Sequence, residues 1–230
     1  MGVMGEPAKA LKPLSLEEYL EWEARSETKH ELVEGLPYAM AGASRAHALL
    51  TTNLALLLGP LARRQGCRLY VADMKLKVGE RTVYYPDLMV VCAPPPQNPY
   101  YEEAPCLVVE VLSPSTEGID RREKLWRYLS LPSLQGYVLA DIQERRIELY
   151  QKKATGILYQ VFTEGEVPLP CPKEPSPWRR SIAVFLWKRL RKTSSIVKLE
   201  LLGYPKGERR PRCPPLSFSA PSRMTALRPW

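Results

Sequence analysis

The sequence predicts an α/β or α+β domain in which helices flank a mixed set of short strands. Leucines recur at helical spacing through residues 45–65, which indicates a long amphipathic helix. Short runs rich in valine, tyrosine and leucine begin at residue 68 and recur up to residue 163, a pattern typical of strands. A second helical stretch at residues 120–130 interrupts these runs. This order of helices and strands predicts the fold class.

Local signals set the boundaries of the predicted elements. Ser15 and Glu18 have capping-box spacing and start the first helix. Glu34-Gly35 is a turn dipeptide between two strands, and Ser44 can cap the long helix. The predicted helices are 16–24, 45–65 and 120–130, and the predicted strands are 30–33, 37–40, 68–72, 75–78, 83–84, 87–91, 107–112, 136–140, 146–151 and 158–163. The proline-rich residues 93–105 are predicted to form a loop.

Length and composition predict one principal domain, because 230 residues can enclose one sizeable core. We divide the chain into a flexible lead-in at residues 1–13, a principal domain at residues 14–170, and a basic, proline-rich tail at residues 171–230 that is predicted to be disordered. No stretch of about 18 apolar residues and no basic-then-apolar leader is present. We therefore expect a cytoplasmic protein with no membrane partner.

The cysteines show no spacing that is typical of a metal site. Five are present, an odd number, with no CxxC pair and only two histidines in the chain. This pattern predicts neither a zinc site nor a disulfide framework. The five are Cys67, Cys92, Cys106, Cys171 and Cys213.

The net charge of +8 is unevenly distributed. Residues 171–230 hold 14 basic and 3 acidic residues, a net +11, whereas residues 1–170 hold 19 basic and 22 acidic residues, a net −3. A body of that charge needs a local basic patch or a metal ion to offset repulsion by phosphates. Bulk charge therefore does not predict that the principal domain binds nucleic acid.

Glu110 is the most informative residue, because it lies within the apolar run Cys106–Leu112. A buried carboxylate there requires a basic partner, a metal ion or a bound proton. A second acid, Asp87, follows Pro86 at the head of another apolar run. Two adjacent strands could bring the acids together, although Asp87 could also be a solvated strand-end residue and Glu110 part of a buried salt bridge.

Several motifs follow one another in a distinctive order. They are the segment Glu31–Gly35, His47, Pro86-Asp87, the string Glu110–Thr116 with sequence EVLSPST, and then Asp120 and Lys124. This order resembles the Uma-two family of restriction-endonuclease-like proteins, members of the PD-(D/E)XK nuclease superfamily. The resemblance spans residues 14–163 and implies a central mixed β-sheet flanked by helices.

The resemblance also implies a metal site for phosphodiester hydrolysis. Magnesium, or manganese in its place, prefers oxygen ligands and can activate water and neutralise phosphate charge. The implied ligands are Asp87, Glu110 and the carbonyl of Val111, and Glu31 could complete the set.

The sequence departs from the superfamily pattern at Leu112, which stands where the usual lysine would lie. A lysine from the following helix replaces it in the Uma-two family, and the matching residue here is Lys124. Asp120 and Lys124 are four residues apart and could instead form a simple ion pair on one helix face. Three nearby arginines are alternative candidates: Arg121, Arg122 and Arg127.

Five residues are candidates for binding the substrate: His47, Ser113, Ser115, Thr116 and Asp120. A histidine near a helix start is often a surface or packing residue. Serine and threonine in such a string also serve ordinary turns and helix caps.

These inferences favour a magnesium-dependent endonuclease, a hydrolase that acts on DNA and could be a homodimer by analogy with its fold. One alternative is a catalytically inactive module that uses the same fold for binding or assembly. Another is a protein that binds nucleic acid through its basic tail alone.

The tail lacks the acidic-apolar ending that is typical of the resembled family. Codons TCC CCC TGG AGG AGA TCT for Ser176–Ser181 would give Pro-Leu-Glu-Glu-Ile when read from the third base. We therefore hypothesise a shifted reading frame from near Pro172, which the nucleotide sequence of the gene can test. A basic arm that binds nucleic acid without sequence preference is the competing interpretation.

Overall fold

The structure is a computed structural model that describes residues 12–114 and 117–172. Most of the predicted lead-in, two candidate substrate-binding residues (Ser115 and Thr116) and the tail from residue 173, with the proposed frame change, lie outside the described residues. None of the helices in the described ranges combines the length and apolar character that a membrane span requires.

The described residues form eleven strands and four helices, and the ten predicted strands occur in the predicted order. The remaining strand, Tyr101–Glu102, lies within residues 93–105, so the prediction of a loop is wrong there, because these two residues pair with Lys75 and Leu76. The helices are α1 Leu16–Glu23, α2 Arg45–Arg64, α3 Glu117–Ile119 and α4 Leu125–Ser130, with a π-helical turn, Asp120–Lys124, between the last two. The strands are β1 His30–Val33, β2 Leu36–Ala39, β3 Arg68–Val71, β4 Lys75–Lys77, β5 Val83–Tyr84, β6 Leu88–Val91, β7 Tyr101–Glu102, β8 Leu107–Leu112, β9 Gly136–Asp141, β10 Arg146–Lys153 and β11 Gly156–Phe162. The mixed α/β fold class is confirmed.

The strands form two mixed sheets. The larger has the order β11-β10-β9-β8-β6-β3, and the smaller has the order β2-β1-β5-β4-β7. In the larger sheet only β8 and β9 are parallel, and the helical segment α3 to α4 connects them, as a parallel pair requires. The larger sheet is the predicted central sheet.

Helices cover both faces of β8, the buried strand that carries Glu110. Val109 and Val111 belong to the core cluster that contains the leucines of α2, whereas Val108 and Leu112 belong to the cluster on the α4 side. Side chains alternate between the faces of a strand, so Glu110 points toward the α4 side.

Four cysteines form two disulfides, Cys67–Cys92 and Cys106–Cys171. The sequence-based prediction against a disulfide framework is therefore wrong. Cysteines far apart in the sequence come together because three of them border adjacent strands of the larger sheet. The spacing of the cysteines along the sequence does not indicate which strands are adjacent in the sheet.

The β1–β2 hairpin turns at Glu34-Gly35, where both residues have positive φ, 52° and 86°. A Cβ atom added at Gly35 would lie 2.7 Å from the Cβ of Pro13 and 3.0 Å from the Leu14 oxygen. Both the positive φ of Gly35 and the lack of room for a Cβ atom there therefore require glycine.

We expect Gly35→Ala to lower the free energy of unfolding by about 2 kcal/mol, through backbone strain and this steric overlap. Urea denaturation measures the change. Gly42→Ala is the matched control, because a Cβ atom there meets nothing within 4 Å. Equal stability of the two variants would contradict the prediction.

Candidate active site

Asp87 and Glu110 are adjacent because β6 and β8 run antiparallel, with Leu88 opposite Val109. The backbone N–H of Asp87 donates to Glu110 Oε2 at 3.1 Å, and the N–H of Val111 donates to Asp87 Oδ2 at 2.7 Å. Each acid thus accepts a hydrogen bond from the strand that carries the other. The expectation that two neighbouring strands bring these acids together is confirmed.

Lys124 is the buried basic partner at this site. Its Nζ lies 2.9 Å from Glu31 Oε1, 3.3 Å from Glu110 Oε1 and 3.4 Å from Asp120 Oδ1. It also lies over the ring of Tyr84, 5.4 Å from its centroid. The π-helical turn directs both Asp120 and Lys124 into the protein, and both side chains are buried.

The three arginines considered as alternatives are engaged elsewhere or exposed. Arg121 Nη1 donates to Glu148 at 2.6 Å, and Arg127 Nη1 donates to Glu34 at 2.7 Å. Arg122 is exposed. Among the basic residues of this segment, Lys124 is therefore the one that contacts Glu110.

The acids and Lys124 are strongly coupled. Burial raises the pKa of Glu110 well above its ordinary value; Lys124 opposes this shift, and the charges of Asp120, Asp87 and Glu31 add to it. Burial acts to lower the pKa of Lys124, but the surrounding carboxylates outweigh it and raise that pKa well above its ordinary value. Lys124 is therefore held as a cation by the acids around it.

Two tyrosines complete the shell around the acids, and neither was among the candidate site residues. The hydroxyl of Tyr128 donates to Glu110 Oε1 at 2.9 Å, and the backbone N–H of Tyr85 donates to Glu31 Oε1 at 3.3 Å. Tyr128 lies four residues after Lys124, so helical spacing already places both on one face. No local signal marks Tyr85, because its bond depends on the pairing of β1 with β5.

His47 lies in the first turn of α2, where the Ser44 side chain accepts a bond from its N–H. Its Nε2 is 3.2 Å from Asp87 Oδ2. Hydrogen bonding to Asp87 raises the pKa of His47, burial opposes the shift, and the backbone of Val111 adds to it. His47, a candidate for binding the substrate, thus lies beside the acids, and its ring contacts a proposed metal ligand directly.

A cavity of about 530 Å³ opens over these residues. Its wall includes Asp87, Glu110, Asp120 and Lys124, together with His47, Ser113 and the segment Met40–Ser44. Of the other candidate residues, Glu31 contacts Lys124, and Val111 is buried and donates its N–H to Asp87. Ser115 and Thr116 follow Pro114, a wall residue, but lie outside the described residues.

The donor set suits a divalent cation that prefers oxygen. Three carboxylates, those of Glu31, Glu110 and Asp120, lie within 3.4 Å of Lys124 Nζ, and Asp87 adjoins Glu110 as a fourth, so added positive charge would be stabilised. A shared ion requires the carboxylates to turn toward one another, because in the described ranges only cysteine sulfurs form a set of three ligand atoms within 4.8 Å of each other. The metal role of these acids remains a prediction.

Comparison with solved structures supports the fold. A crystal structure from Anabaena variabilis ATCC 29413, described as "a putative nuclease belonging to DUF820", is 21% identical, with a TM-score of 0.62. The alignment covers 77% of this chain and 99% of that one. At this identity the likeness establishes the restriction-endonuclease-like fold.

Sequence comparison establishes the family. Two proteins of Synechocystis sp. (strain ATCC 27184 / PCC 6803 / Kazusa), the uncharacterized proteins slr1290 and sll1609, are each 38% identical, over 152 and 145 residues. The alignments cover 65% and 61% of this chain and 80% and 82% of those proteins. Residues 16–184 match the sequence model of the Uma2 family, which is described as "Putative restriction endonuclease". The chain belongs to the Uma2 family.

Proposed function

We propose that this protein is a metal-dependent endonuclease that hydrolyses phosphodiester bonds, with DNA as its substrate. The observation that carries the proposal is the meeting of Asp87, Glu110 and Lys124 at the wall of one cavity. Three different segments supply them: Asp87 directly precedes β6, Glu110 lies within β8, and Lys124 belongs to the π-helical turn. The family description supports the same class of reaction.

Asp87, Glu110 and the Val111 carbonyl are the proposed ligands of Mg²⁺ or Mn²⁺, with Glu31 assisting. When bound, such an ion lowers the pKa of water and neutralises charge on the phosphoryl oxygens. The backbone N–H groups of Asp87 and Val111 hold the two acids side by side. Their carboxylates then need to turn toward each other, but not to travel, in order to share an ion.

Lys124 is proposed to orient the attacking water or to stabilise the negative charge on the phosphoryl oxygens in the phosphorane-like transition state. In the reaction the water oxygen forms a bond to phosphorus, the bond from phosphorus to the leaving sugar oxygen breaks, and that oxygen takes up a proton. Glu31 and Glu110 hold Lys124 as an ammonium ion, which suits charge stabilisation. His47, beside Asp87 at the cavity wall, is proposed to contact the substrate.

The deciding experiment is cleavage of supercoiled plasmid DNA with Mg²⁺ or Mn²⁺ by the wild-type protein and by Glu110→Gln. The amide keeps the shape of the side chain and can still accept from Tyr128, but it removes the charge. We expect cleavage to fall by about 100-fold. The matched control is Glu103→Gln, since Glu103 is a surface acid paired with Lys77, and it should cleave at the wild-type rate.

Equal cleavage by the wild type and Glu110→Gln would refute the proposed site. No cleavage of DNA or RNA by a folded wild-type protein with either metal would favour the inactive binding or assembly module. In that case the close engagement of Lys124 by three carboxylates would serve structure rather than catalysis.

A further inference from the structure

A second cluster of chemically reactive side chains lies at the far end of the strands that carry the acids. Cys67 directly precedes β3, Cys92 directly follows β6, and Cys106 directly precedes β8. Arg68 pairs with Val91 across β3 and β6, which brings Cys67 beside Cys92. Cys92 lies five residues after Asp87 along extended backbone, so the two residues are about 17 Å apart.

The sulfur atoms of four cysteines meet in this cluster. Cys67 is bonded to Cys92 and Cys106 to Cys171, and these two disulfides touch each other. Cys92 Sγ lies 3.6 Å from Cys106 Sγ and 3.8 Å from Cys171 Sγ. The sulfurs of Cys92, Cys106 and Cys171 all lie within 4.8 Å of one another.

The two separations between the disulfides, 3.6 and 3.8 Å, match the dimensions of a tetrahedral metal–thiolate site. A zinc–sulfur bond is about 2.3 Å long, so neighbouring sulfurs around one zinc ion lie about 3.8 Å apart. Disulfides that only join strands have no need to contact one another. Contact between both pairs places three sulfurs within 4.8 Å of one another, with the fourth, that of Cys67, bonded to Cys92.

The backbone holds the cysteines in place independently of their sulfur chemistry. The N–H of Cys106 donates to the Val90 carbonyl at 2.8 Å, and the N–H of Cys67 donates to the Ala62 carbonyl at 2.9 Å. Arg68 Nη2 donates to the Ala93 carbonyl at 2.7 Å and so ties the residue after Cys67 to the residue after Cys92. A reduced chain therefore keeps its thiols close together.

We propose that Cys67, Cys92, Cys106 and Cys171 of the reduced chain bind one Zn²⁺ as a closed tetrathiolate site, and that the two disulfides are the oxidised form of that site. Reduction of the disulfides takes four electrons and four protons, which two molecules of a dithiol supply as they form their own disulfides. Zinc binding then releases the four thiol protons. The bound ion clamps the ends of β3, β6 and β8 to the segment after β11.

The test uses the full chain, reduced with a dithiol under argon, freed of metal with a chelator and passed through a desalting column. Zinc chloride is then added, excess is removed, and bound zinc is measured by mass spectrometry. We expect one zinc per chain, and X-ray absorption should show four sulfur neighbours at about 2.3 Å. Cobalt in place of zinc should give the intense visible bands typical of tetrahedral thiolate coordination.

Variants separate this site from other sources of zinc binding. Cys92→Ser should weaken zinc binding at least about 100-fold, and its exposed position makes the change tolerable to the fold. Cys213→Ser removes the fifth cysteine, which lies outside the described residues, and should keep one zinc. Asp87→Asn should also keep one zinc, which distinguishes the cluster from the acidic site.

A folded, reduced wild-type protein that retains no zinc would overturn the proposal. So would equal losses of zinc in Cys92→Ser and Cys213→Ser, or a cobalt spectrum of oxygen ligands. Circular dichroism confirms that each variant is folded. A second variant, Cys67→Ser, extends the test to the sulfur outside the set of three, and undiminished zinc binding in it would also contradict four-sulfur coordination.

Discussion

The Lys124→Met protein is expected to lose about 3–5 kcal/mol of its free energy of unfolding. Methionine fills most of the volume of lysine but leaves Glu31, Glu110 and Asp120 without the cation that lies within 3.4 Å of each. These carboxylates stay largely buried, so water replaces the lost interaction poorly. Urea denaturation followed by circular dichroism measures the loss.

A double variant tests whether the loss has this electrostatic cause. Glu110→Gln removes one of the charges that Lys124 neutralises, so Lys124→Met combined with Glu110→Gln should be less destabilised than the sum of the single changes. Lys153→Met, at an exposed strand position, is the control and should change stability by less than about 0.5 kcal/mol. Additive effects in the double variant, or a loss below about 1 kcal/mol for Lys124→Met, would show that the charge of Lys124 contributes little to the fold.

The Asp87→Asn protein is expected to cleave plasmid DNA about 1,000-fold more slowly than the wild type, if the proposed function holds. Asparagine is isosteric and can still accept the bond from the Val111 N–H, so the fold should be retained. The change removes a charged metal ligand and, with it, part of the affinity for Mg²⁺. Rates at several Mg²⁺ concentrations separate weaker metal binding from slower chemistry.

Asp73→Asn is the matched control, because Asp73 is 80% exposed and pairs with Lys29 on the surface. It should cleave at the wild-type rate. A rate for Asp87→Asn within about threefold of the wild type would remove Asp87 from the proposed machinery, and a large fall in its unfolding temperature would assign Asp87 a structural role instead.

Elements with strong local signals were predicted well. The capping box of Ser15 and Glu18 forms as expected, and the turn at Glu34-Gly35 joins β1 and β2. The helix after β8 was predicted as residues 120–130, whereas helical structure begins at Glu117 and includes a π-helical turn. A π-helical turn has no distinctive sequence signal. The buried side chains of this one, Asp120 and Lys124, make contacts with distant residues that local sequence does not indicate.

The predicted apolar face of α2 was correct for Leu50, Leu54 and Leu58, which are buried. Leu49 belongs to the same periodic set but is 46% exposed. Helical spacing defines a broad stripe, and only the sheet that packs against α2 determines which edge of the stripe is covered.

The sequence identified the two acids that meet at the cavity, but it did not identify the hydrogen bonds and ion pairs around them. An isolated charge within an apolar strand identified Glu110, and the Pro86-Asp87 pair identified its neighbour. The resemblance indicated Lys124, and the structure shows that Arg121 and Arg127 do not replace it, because acids on other strands and turns bind the two arginines. Those acids lie 27 and 93 residues away along the chain, beyond the reach of any local pattern.

The sequence by itself determined the order of most helices and strands and the family. It also showed that Glu110, a charged residue within β8, needs a partner. These properties depend on neighbouring residues, through periodicity, capping and hydrophobicity. Tertiary structure decided between Lys124 and the neighbouring arginines as the cation that meets Glu110, and it alone brought four widely spaced cysteines together. Both depend on strand register, because pairing β8 with β6 places Asp87 beside Glu110 at one end and Cys92 beside Cys106 at the other.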